Sequence, residues 1–129
     1  MKNLTAFSWV KAMTIERRIF EKVQAYQREY GRAARKKAGQ VKTLREINSK
    51  GSARVIDDLE RGFDAEWTEK RKIYSKQIRS DVYRIKDQDK KKRLQYKCNL
   101  CVRCPEKVPA FKTAQEFFKW CGVDVSEPP

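Results

Sequence analysis

At 129 residues the chain is long enough for one domain, or for one domain with an appendage. Its 31 lysines and arginines outnumber 17 aspartates and glutamates, a formal charge of +14 with no histidine in the chain. That excess is larger than the roughly 2 to 8 charges that keep a small domain soluble and points to a polyanionic partner, while the lack of histidine removes Ser-His-Asp and Cys-His catalytic sets.

Charged residues make up 37% and hydrophobic ones 40%, a balance poor for a thick core and suited to long, exposed helices. All four prolines follow residue 104, so nothing earlier forbids long helices. No stretch reaches the roughly 18 apolar residues of a membrane span, and MKNLTAFSWVKAM lacks a clean secretory pattern. The chain is therefore expected to be intracellular (in the cytoplasm, an organellar matrix or a virion) and not secreted.

Taken in order, residues from about 4 to 30 read as a first helix. Ala12, Ile15, Ile19, Val23, Tyr26 and Tyr30 recur at three and four residues, after an apolar head of Phe7, Trp9 and Val10. Gly31 is the expected stop. Residues 32–47 read as a second helix with Ala34, Ala38, Val41, Leu44 and Ile47 on a thin apolar face. Around that face lie Arg32, Arg35, Lys36, Lys37, Lys42 and Arg45, with no acidic residue between Arg32 and Arg45. A face so free of compensating charge suits phosphate contact; its bland reading is a solvated helix surface.

Asn48 to Ser52 is the clearest loop, and Ser52 an expected N-cap. From about residue 53 to 93 the apolar positions Ile56, Leu59, Phe63, Trp67, Tyr74, Ile78, Val82 and Ile85 keep helical spacing. The stripe is narrow, as in a helical hairpin or coiled-coil seam, with Gly62 as a soft point. Lys90, Lys91, Lys92 and Arg93 are expected to close this helix, where cations suit the dipole. With Lys97 they form a second candidate nucleic-acid surface.

All four cysteines lie between residues 98 and 121: Cys98, Cys101 and Cys104 at two-residue intervals, then Cys121 alone. Four thiols without histidine match a closed structural zinc site by count. The spacing differs from two separate Cys-x-x-Cys turns, and three closely spaced thiols with one remote also fit an iron–sulfur cluster. The plain alternatives are buried cysteines that pack as small hydrophobes and disulfides, which need an oxidising compartment. Thr113 and Glu116 form a capping-box pattern, with a short helix from about Ala114 to Cys121 and Gly122 as its left-handed stop.

The expected architecture is mainly α. A basic helical region (1–95) of hairpin or coiled-coil type precedes a small four-cysteine, metal-stapled module (96–123) and a tail (124–129). No P-loop or dinucleotide loop is present and the carboxylates mostly have basic neighbours at helical spacing, so no enzyme is expected. The function this supports is a structural component of a large assembly, a ribonucleoprotein such as a ribosome or a viral or phage nucleoprotein. It would bind nucleic acid, RNA before DNA, through Lys and Arg, with zinc fixing the C-terminal end. One alternative is a protein–protein adaptor anchored by Phe111, Phe117, Phe118 and Trp120. Another is a DNA-binding regulator that uses residues 53–63 as a recognition helix.

Overall fold

The computed structural model describes residues 14–47 and 51–125. Among these the chain is helical and forms no strand: α1 (Ile15–Ile47), α2 (Ser52–Val82), α3 (Gln88–Arg103), a 3-10 turn (Pro105–Lys107) and α4 (Ala114–Cys121). The mainly α class expected from the sequence holds. The apolar head at Phe7, Trp9 and Val10, the loop residues Asn48 to Lys50 and the tail from Ser126 lie outside the described residues.

Two expected helices are in fact one. α1 runs 33 residues, straight through Gly31. A glycine costs a helix about 1 kcal/mol relative to alanine, and packing along α2 outweighs that: Tyr30 lies against Trp67 at 5.2 Å and Phe63 at 5.8 Å. Later positions on α1 meet earlier ones on α2. Lys22 pairs with Asp81 at 2.6 Å, Glu29 with Lys70 at 3.0 Å, and Lys37 sits 4.4 Å from the Phe63 ring. The two helices therefore form an antiparallel hairpin, and theirs is the most extensive helix–helix contact in the fold.

The expected helix over 53–93 is instead two. α2 ends at Val82 and α3 starts at Gln88. Asp87 makes the new start: extended at φ −69°, ψ 116°, it accepts through Oδ1 from the amides of Asp89 (3.0 Å) and Lys90 (3.2 Å), which satisfies orphan donors of the first turn. Ile85 is buried and pins the turn. The fold-back returns Leu94, Cys98, Cys101 and Val102 to the same core as Ile19, Val23, Trp67 and Val82; a straight helix would carry them away from it. Ser52 also departs from expectation. It is the first helical residue, and Gly51 holds the cap position, with no side chain of its own to cap that end. Gly62 does not break α2.

One buried cluster joins the long hairpin to the cysteine segment, from Ile19 to Val123. Tyr26 is central to it. Its hydroxyl donates to the Val102 carbonyl at 2.8 Å, tying α1 to α3, and its ring meets Trp67 and Tyr74 edge-on. Between Ala33 on α1 and Phe63 on α2 no described residue belongs to this cluster. The distal hairpin is thus a two-helix arm, about 20 Å long at roughly 1.5 Å per residue. α4 is capped as expected: Thr113 Oγ1 accepts from the Glu116 amide at 3.2 Å, Glu116 Oε2 accepts from the Lys112 amide at 3.0 Å, and Gly122 ends it at φ 73°. No described helix is long and apolar enough to cross a membrane.

Candidate nucleic-acid interface

The apolar stripe of α1 decides where its cations go. Ile19, Val23, Tyr26 and Val41 are buried, and at about 100° per residue the opposite face carries Arg28, Arg32, Arg35 and Lys42. All four are exposed. Since Gly31 does not stop the helix, Arg28 joins this row at four residues before Arg32. The sequence reading omitted it because the break was placed between them.

A groove of about 420 Å³ opens between this face and the segment before α4. Arg28, Arg32 and Arg35 line one wall and Lys112 the other, and no carboxylate lines it. Two glutamines of α1 hold the far wall in place. Gln24 Nε2 donates to the Phe111 carbonyl at 3.1 Å and Gln27 Nε2 to the Pro109 carbonyl at 2.9 Å. Gln27 Oε1 accepts from the Phe111 amide at 3.4 Å. Phe111 itself is buried against Phe117 and Trp120. Lys112 has no local sequence signal that ties it to α1; only the fold places it there.

Arg35 also lines the next groove along the arm, with Lys36, Gly39 and Thr43, and again no carboxylate is present. The cationic track therefore continues past the first groove. The opposite flank differs: Lys37, Lys42 and Arg45 there share their groove with Glu46 and Glu60, and Lys37 is engaged by the Phe63 ring. Of the six basic residues singled out on 32–45, the structure brings Arg32, Arg35 and Lys36 onto the uncompensated side. Glu29 is the acidic residue nearest the track on α1. It is turned to Lys70 and to the Tyr74 hydroxyl, and those two hydrogen bonds, that of Tyr74 foremost, hold its carboxyl below the usual range.

The second candidate surface is placed quite differently. Lys90 to Arg93 open α3 instead of closing α2, so they sit at the positive end of a helix dipole, which Asp87 and Asp89 offset. Lys91 lies 4.2 Å from the Tyr83 ring and Lys97 4.3 Å from the Trp120 ring. Arg93 pairs with Asp89 at 3.2 Å and donates to the Gly122 carbonyl at 3.4 Å. Among the described residues only Lys90 and Lys92 of this group have no such partner.

The cysteines are free thiols, three of them buried: Cys98, Cys101 and Cys121. They are close enough to feel one another's charge, and burial pushes all three thiols up, Cys101 and Cys121 to about 12. Lys97 opposes that rise at Cys101 and Cys121 without overcoming it. Cys104 is half-exposed at the C-cap of α3. Cys98 and Cys101 are residues of the α3 helix. Among the described residues no group of three or more Cys, Asp or Glu side chains is arranged to hold a metal ion. A metal-stapled module is therefore not shown.

Two features behind the alternative readings are also placed. Phe111, Phe117 and Phe118 are core residues and Trp120 is half-buried, so these aromatics are not presented as a set of surface anchors. Residues 53–63 belong to the long α2 and carry exposed Asp57, Asp58 and Glu60, Asp57 being paired with Arg61 at 3.1 Å. Compared with protein-family models, with curated proteins and with solved structures, the chain matches none, and its function is argued from these residues alone.

Proposed function

We propose that the protein binds nucleic acid without catalysis, as a structural component of a larger assembly such as a ribonucleoprotein particle or a viral or phage nucleoprotein. The observation that carries this reading is the groove in which Arg28, Arg32, Arg35 and Lys112 converge with no carboxylate among its lining. Four cations at one groove repel one another, and a polyanion relieves that repulsion. Along the seam between the two hairpin helices, by contrast, cations are paired, as in Lys22–Asp81 and Lys70 with Glu29 and Glu66. The carboxylate-free track from Arg28 to Lys36 spans about 12 Å, the length of roughly three to four base-pair steps at 3.4 Å each.

Binding of this kind releases counterions. With about five phosphate contacts, log K should fall with log salt at a slope of about −4.5 on duplex and about −3.5 on a single strand. Fluorescence anisotropy with a labelled oligonucleotide across a salt series measures it. An affinity that is flat in salt sinks the proposal.

Zinc held by Cys98, Cys101, Cys104 and Cys121 is a separate proposal that rests on ligand count. An iron–sulfur cluster on the same thiols rests on spacing. The gathering of three thiols in the core supports a metal no better than it supports plain packing, so neither group enters the binding mechanism.

A further inference from the structure

A second groove, also of about 420 Å³, lies between α2 and α3, away from the α1 face. Its floor is apolar, formed by Ile78 and Val102 among others. Its rim carries two guanidiniums from different helices, Arg79 and Arg103, and no carboxylate lines it. Neither guanidinium has an ion-pair partner among the described residues, and both are exposed. On α3 the residues Gln95, Asn99 and Arg103 succeed one another every four positions and so form one ridge. The two carboxamides have no hydrogen bond to the described residues and face the groove as free donor–acceptor pairs. Beside them stands Tyr96, 67% exposed on a helix whose other large apolar residues are inside. Its ring has no aromatic or cationic neighbour among the described residues.

Nothing in the hairpin interface explains this combination. Two cations select an anion. Carboxamides that both donate and accept select a flat, mixed hydrogen-bonding edge. A bare aromatic ring above an apolar floor selects a flat face to stack. A volume of this size suits a small ligand or one residue of a polymer, the usual range being about 300 to 1,000 Å³. We propose that the groove holds one unstacked nucleotide of a single-stranded nucleic acid, with its base on Tyr96, its edge against Gln95 and Asn99, and its flanking phosphates on Arg79 and Arg103. A paired base cannot enter, because its edge and face are already engaged. The inference rests on the nucleic-acid reading of the α1 face and deepens it: α1 supplies charge, and this groove supplies preference for single strands.

The test uses the full chain with a single-stranded oligonucleotide carrying 2-aminopurine and a hairpin duplex of the same length and label. The single strand should change the 2-aminopurine emission on binding and the duplex should not. Tyr96→Leu, and separately Arg79→Ala with Arg103→Ala, should each lower single-strand affinity by about fivefold or more, the lower bound for losing one stacked base, and leave duplex affinity within about twofold. These positions are exposed on helices, and a circular dichroism melt confirms that each variant folds. An unchanged single-strand affinity in both variants overturns the groove. So does their displacement from it by a polyglutamate peptide as readily as by an oligonucleotide, which would identify an acidic protein segment as the occupant. If Arg28→Ala, Arg32→Ala and Arg35→Ala together abolish binding while the groove variants change nothing, only the groove proposal fails. If neither set matters, both readings fail.

Discussion

Gln27 grips the backbone at Phe111 across 84 positions of chain, accepting its amide at 3.4 Å while donating to the neighbouring Pro109 carbonyl at 2.9 Å. Together with Gln24, this carboxamide fixes a strap that carries Lys112 to the edge of the α1 cations. An α1 residue with no charge of its own thereby sets the charge density of the groove.

Gln27→Ala should therefore act as though a cation had been lost. Two of the three α1 hydrogen bonds to the strap disappear, at about 0.5–1.5 kcal/mol each, and with Gln24 alone left to hold it Lys112 is less firmly placed opposite Arg28. The salt dependence of oligonucleotide binding should fall by about one unit of slope, the value of one phosphate contact. Lys112→Ala should do the same, and the double variant should lose little more than either alone. Additive losses in that cycle, read by anisotropy, would show that the strap does not position the lysine.

The two basic regions should separate cleanly by the quantity they change. Arg32→Ala removes an exposed cation with no ion-pair partner among the described residues, so it should reduce the salt slope by about 1 and leave the melting temperature nearly unchanged. Lys91→Ala and Arg93→Ala should behave in the opposite way. Lys91 covers the Tyr83 ring and Arg93 links Asp89 to the end of α4, so each loss should cost roughly 0.5–1 kcal/mol of stability with little effect on the slope. A slope that drops for Arg93→Ala as much as for Arg32→Ala would return the 90–97 run to the interface.

The hairpin seam gives the protein a defined pH response at both ends. At Tyr74, burial and the hydrogen bond to Glu29 push the hydroxyl up to about 12 from 10.0. The folded state holds that proton more tightly than the unfolded chain, so the stabilisation is complete below pH 10.0 and is lost as pH rises towards about 12. Glu29 runs the other way. Its carboxyl lies below 4.5, chiefly through the Tyr74 hydrogen bond and then Lys70, so its contribution is present above pH 4.5 and disappears as pH falls through the depressed value. Denaturant midpoints measured against pH should show both limbs in the wild type. Tyr74→Phe should make the alkaline limb shallower, the buried thiols and Tyr26 supplying the rest, and Glu29→Gln should flatten the acid one. An alkaline limb of equal depth in Tyr74→Phe would rule out this tyrosine as its source.

The helices and their buried faces were legible because they follow from spacing alone. Ile19, Val23, Tyr26, Trp67, Ile78 and Val82 lie on the expected stripes, and the Thr113 cap and Gly122 stop are local chemistry that four residues encode. What spacing could not supply was competition. Gly31 reads as a stop until the contact of Tyr30 with Trp67 is known. The turn at 83–87 was hidden because Ile85 keeps the helical period. The clues to it were Asp87, a capable N-cap, and eight successive polar residues from Lys86 to Arg93 with no apolar one to bury. Misplacing that turn moved the basic run from the start of one helix to the end of another and reversed its relation to the dipole. Lys112 and the α2–α3 groove were beyond reach, since both depend on segments brought together only by the fold.

The roles open to the thiols diverge at Cys104. Cys101 is fully buried, so Cys101→Ser places a hydroxyl in the apolar core and should cost about 1–3 kcal/mol whether or not a metal is bound. That variant alone decides nothing. Cys104 is half-exposed at the end of α3, and if the cysteines serve packing, Cys104→Ser should stay within about 0.5 kcal/mol of the wild type. The same packing role predicts that a thiol reagent modifies Cys104 quickly in the native protein and reaches Cys98, Cys101 and Cys121 only on unfolding, because thiols held well above their ordinary pKa expose little thiolate. Four-thiolate zinc predicts the reverse. Cys104→Ser would then fall as far as Cys101→Ser, all four thiols would be protected until a chelator is added, and purification without chelator would yield one zinc per chain. Iron in place of zinc, with visible colour, would assign the same thiols to a cluster.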